Sequence, residues 1–140
     1  MNVIGERIIE VLKADSALVA LLGSVKNITA MTLQEKDKRK TKAVLVSTSV
    51  GKETGDVPVQ DGSVTIEGVV NREVAGAFGI LAEIMNRVDD LLNKGEVTLS
   101  DVDWKIISFT RDSSSDIQID SKTSEYFWDI EYSFLIDESV

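Results

Sequence analysis

The stretch that most limits what this chain can fold into runs from Tyr126 to Ile136. Tyr126, Trp128, Ile130, Tyr132, Phe134 and Ile136 alternate with Phe127, Asp129, Glu131, Ser133 and Leu135. A period of two puts the first six side chains on one face of a strand. Five of the eight aromatic residues of the chain fall here, so a core should be organised around this segment. The second face is only partly polar. Such a strand belongs in the middle of a sheet or in an assembly rather than at a hydrated edge.

At 140 residues the chain has the length of one ordinary domain, and residues 1–140 are read as one. That size buries roughly two-thirds of the unfolded surface. With 43 % hydrophobic and 28 % charged residues, the composition is that of a globular protein, not a disordered one. No apolar run approaches the roughly 20 residues of a membrane span, and Met1 to Glu6 does not begin a signal peptide. The absence of cysteine excludes disulfides and thiolate chemistry. The expectation is one soluble cytoplasmic domain without a membrane partner.

The formal net charge of −9 is unevenly distributed. From Asp112 onward, Asp112, Asp116, Asp120, Glu125, Asp129, Glu131, Asp137 and Glu138 face Lys122 alone. The sign reverses at Lys36, Lys38, Arg39, Lys40 and Lys42, with Asp37 among them. Overall acidity argues against tight binding to a phosphate backbone, which needs a basic face. The basic cluster reads either as a hydrated loop or as a contact for an acidic neighbour.

Ile4, Ile8, Val11 and Leu12 form a helical stripe over residues 3–13. Asp15 and Ser16 offer N-cap oxygens to a second short helix that Gly23 stops. Val25, Ile28, Met31 and Leu33 offer a short strand, and Ala43 to Val50 a buried one. Three glycines and the only proline between Gly51 and Gly62 describe a loop or an extended hairpin tip. Ser63 to Val70 is the next strand. Residues 73–94 form the long helix, with Val74, Phe78, Leu81, Met85, Val88 and Leu92 facing the core. Glu83 and Arg87 are placed to pair on its exposed side, and Gly95 to cap its end. A turn is expected at Ser100-Asp101. Strands over Trp104–Thr110 and Ile117–Ile119 should flank a loop, Arg111–Ser115. The sum is an α+β, two-layer sandwich: a mixed, mostly antiparallel sheet packed by a long amphipathic helix and N-terminal helices.

Reactive chemistry is hard to find in these residues. Without histidine there is no Ser-His-Asp triad and no His-ligated metal, and no spacing singles out a Ser–Lys pair. Gly51 to Gly55 lacks the spacing and the trailing Lys-Thr of a phosphate-binding loop. The serine run between Asp112 and Asp116 lacks the glycine and final glutamate of an EF-hand. Asp116 and Asp120 should share a strand face. Asp129 and Glu131 share one too, and suit cation binding or acid/base work, but a solvated face explains them as well. The aromatic stripe has acidic neighbours rather than the basic ones of a base-stacking platform, so core packing explains it better. Tyr126 and Trp128 could also anchor a subunit boundary. No catalytic, cofactor or metal site is expected.

The segment Leu12-Lys13-Ala14-Asp15-Ser16-Ala17-Leu18-Val19-Ala20-Leu21-Leu22-Gly23 resembles the opening of the tail completion, or tail terminator, proteins of long-tailed bacteriophages. There a segment of the type L-x-A-D-x-x-L-x-x-L-x-G leads from a helix towards a strand. A hairpin, a long helix and C-terminal strands follow, matched here by Ala43–Val50, Ser63–Val70, Val74–Lys94 and Tyr126–Ile136. Members of the family often carry a proline before the first long strand, where this chain has Thr41-Lys42-Ala43.

The resemblance implies a virion structural protein rather than an enzyme. It would assemble as a homo-oligomer, usually a hexameric ring, on the last ring of the tail tube. Its partners would be the tail tube protein and the head-tail connector, with DNA only passing through the lumen. By position, the candidate contacts are Lys36, Lys38, Arg39, Lys40, Lys42, Lys52, Glu53, Asp56 and Asp61. Alternatives are a neck or head-completion protein, a cytoplasmic interaction module and, last, a carboxylate-dependent enzyme.

Overall fold

A computed structural model of the chain describes residues 3–31, 41–53, 59–93, 99 and 105–137. The elements are α1 (Val3–Ala14), α2 (Ser16–Leu22), a 3-10 turn (Val25–Asn27), β1 (Ile28–Ala30), β2 (Lys42–Glu53), β3 (Val59–Asn71), α3 (Ala77–Leu92), β4 (Lys105–Ser114), β5 (Gln118–Asp120) and β6 (Glu125–Asp137). Six strands form one sheet in the order β1-β2-β3-β6-β4, and β5 also pairs with β6. β1 lies parallel to β2, and the other pairings are antiparallel. The helices pack on one face of this mixed sheet, so the expected α+β sandwich is the architecture found.

Capping fixes the N-terminal helices. Asp15 has extended backbone and accepts the Leu18 amide at 2.9 Å, while Gly23, at φ +86°, donates its amide to the Val19 carbonyl. Both roles are those read from the sequence. Ile4, Ile8 and Leu12 of α1 and Leu18 and Leu22 of α2 are buried. They join Leu81, Ile84, Met85, Val88 and Leu92 of α3 in the main core. Gly68 of β3 lets α3 approach closely. A Cβ there would press into the Met85 sulfur and Leu81 Cδ1.

β6 is an interior strand of the sheet, with β3 on one side and β4 and β5 on the other, as its alternation requires. Every residue from Glu125 to Asp137 is in register with β3, from Glu125 opposite Asn71 to Asp137 opposite Val59. Ile130, Tyr132, Phe134 and Ile136 are buried, and Tyr126 and Trp128 pack at the margin of the core. β4 and β5 share the other side of β6: β4 pairs with Ile130 to Asp137 and β5 with Glu125 to Phe127. Together they form one interrupted strand.

Several expectations change. Strand pairing reaches well into the glycine-rich stretch, because β2 runs to Glu53 and β3 starts at Val59, with a register shift near Val50. β4 continues through Arg111 to Ser114, where a loop was expected, and the break is confined to residues 115–117. Asp116 lies in that break, so it shares no strand face with Asp120. α3 begins at Ala77 rather than at residue 73, because Gly76 has a left-handed φ of +70° and a helix cannot start through it. Phe78 then stands in the first turn of the helix, at the margin of the core, and is 57 % exposed. The expected strand position of Leu33, the cap at Gly95, the turn at Ser100-Asp101 and Trp104 lie outside the described residues.

Candidate interaction surface

Several polar side chains of the described residues hold elements together. Arg87 does not serve a pair with Glu83; its guanidinium reaches 72 residues back to Asp15. Nε meets Oδ2 at 2.9 Å and Nη2 meets Oδ1 at 2.6 Å, a two-pronged pair joining α3 to the cap of α2. The guanidinium hydrogen bond, followed by the Leu18 amide, outweighs desolvation and holds the Asp15 carboxyl below its ordinary range. Tyr132 donates to Asp89 Oδ1 at 2.7 Å, and Arg111 binds Asp89 Oδ2 at 2.9 Å, linking β6, α3 and β4. Burial, then the bond to Asp89, pushes the Tyr132 phenol up. Its ring stacks on Phe109 at 5.0 Å.

The seam between β4 and β5 is held by serines. Ser115 donates its amide to the Asp129 carbonyl at 2.9 Å, and its Oγ accepts the Asp129 amide at 2.9 Å. A side chain thus replaces the backbone carbonyl that the broken strand cannot supply. Trp128 Nε1 donates to Ser114 Oγ at 2.8 Å. Nothing in the run Ser113-Ser114-Ser115 distinguishes these roles by spacing.

Asp129 stands on the helix-free face, opposite Glu67. Its Oδ1 is buried without a hydrogen-bond partner, and burial raises its carboxyl above the ordinary range. Among the described residues no group of three or more potential ligands is placed to hold a metal ion. No helix among them is long and apolar enough to cross a membrane.

The contacts suggested by sequence separate into two ends of the sheet. Lys52 and Glu53 end β2, and exposed Asp61 lies early on β3, opposite Leu135. Lys42 begins β2, about 33 Å from Lys52 along an extended strand. Its ammonium donates to the Leu21 carbonyl at the end of α2 at 3.1 Å. Lys36, Lys38, Arg39, Lys40 and Asp56 lie outside the described residues.

An apolar patch forms at the Lys42 end. Lys42 is opposite Val70, Val70 opposite Tyr126, and Tyr126 opposite Ile119, one transverse row across β2, β3, β6 and β5. The Tyr126 ring meets Phe78 edge-on, with centroids 5.8 Å apart. Ile119 is 53 % exposed. Phe78, Tyr126 and Ile119 thus make a continuous apolar surface where α3 starts, of the aromatic kind common at protein contacts. Tyr126 is one of the two candidate interface aromatics of the alternation, whereas the spacing of Phe78 fits the core stripe of the helix although the ring is exposed.

No protein-family model matches the chain, and no curated protein sequence matches it. Among solved structures, the fold is similar to that of a chain in the virion of a native gene transfer agent (GTA) particle. The TM-score is 0.70, covering 93 % of this chain and 91 % of that one, at 15 % identity.

Proposed function

We propose that this protein is a virion structural subunit of the tail-terminator type. It assembles as a ring on the end of the tail tube, stops further tube growth and offers a surface to the head connector. The observation that carries this reading is the full-length likeness of fold to a chain of a virion particle. The tail-terminator role adds the resemblance of Leu12–Gly23, whose cap residues Asp15 and Gly23 act as that segment requires.

The role needs binding surfaces and no reacting group. DNA passes through the ring without being held, and an acidic chain suits a lumen along which a polyanion slides. The protein then resides in the particle, at the neck end of the tail.

The test is mass in solution over a wide concentration range, negative-stain imaging, and addition of the protein to growing tail tubes. Rings of about six subunits, with tubes capped at one end, are expected. Tubes that grow unchanged and carry no bound protein would overturn the reading. Rings that bind the head portal but not the tube would move the protein to the neck.

A further inference from the structure

We draw no further inference here: the strongest candidate, the apolar surface patch of Phe78, Tyr126 and Ile119 where α3 starts beside β5 and β6, carries nothing, because nothing in the structure shows what covers it.

Discussion

On the helix-covered face of the sheet, Val44, Val46, Val64, Ile66, Ile130 and Tyr132 are shut away beneath α1, α2 and α3. On the opposite face the same strands carry Thr65, Glu67, Asp129 and Glu131, with a smaller apolar group, Ala43, Leu45 and Val69, beside Met31 and Phe127. Two carboxylates express the difference. Asp15, on the helix side, has two guanidinium contacts and a backbone amide, and its proton is lost easily. Asp129, on the free side, has a buried oxygen with no partner, and burial makes it hold its proton more tightly than an exposed carboxyl. The helix-covered face supplies stability through apolar contact and through pairs such as Asp15–Arg87. The free face tolerates a group that stability alone would not select.

The most severe way to disturb this division is to open the covered face. Leu81→Ala removes a fully buried side chain of α3 that lies over Gly68. It should cost about 2–5 kcal/mol in urea unfolding, because the cavity cannot close around a tightly packed helix. Glu131→Gln on the free face should change stability by no more than about 0.5 kcal/mol. Equal losses at the two sites would dissolve the contrast.

Asp15→Ala should have the next largest effect. Loss of the cap alone costs about 0.5–2 kcal/mol, and the Arg87 guanidinium loses its partner as well. Because the folded carboxyl lies below its ordinary value of 3.8, the unfolded chain binds the proton first as pH falls. The stability that Asp15 contributes is therefore complete above that value and disappears as pH drops through the folded one. Thermal unfolding of the variant should trail the parent at pH 7, and the gap should narrow below about pH 3.8. A gap independent of pH would mean that the ion pair adds nothing beyond shape.

How much of this could be read in the sequence depends on the range of each interaction. The alternation of β6, the Asp15 cap and the Gly23 stop are local patterns, and each lies where the spacing put it. The Asp15–Arg87 pair joins residues 72 apart, and at that distance the nearer Glu83 was the natural partner to choose. Glycines 51, 55 and 62 with Pro58 suggest a loop or an extended hairpin tip, and pairing of Glu53 with Gln60 and of Val59 and Gln60 with the end of β6 favours the second. Phe78 keeps the helical period, but Gly76 starts the helix late and leaves the ring at its margin. The apolar patch of Phe78, Tyr126 and Ile119 is thus half legible. Its aromatic strand residue is in the alternation, while its helix residue depends on where the helix begins.

Asp129 gives the smallest effect and the one with opposite sign. Its folded carboxyl lies above the ordinary value of 3.8, so over the interval between the two values the folded chain binds more protons than the unfolded one. Stability from this group then falls as pH rises through that interval, the reverse of Asp15. Asp129→Asn, which removes the buried charge and leaves the backbone bonds to Ser115 in place, should raise Tm at pH 7. The gain should vanish near pH 3, where the parent carboxyl is already neutral. A variant that melts lower at pH 7 would show that Asp129 is held charged, by a partner on the free face. The two faces would then differ in what covers them rather than in how completely their polar groups are paired.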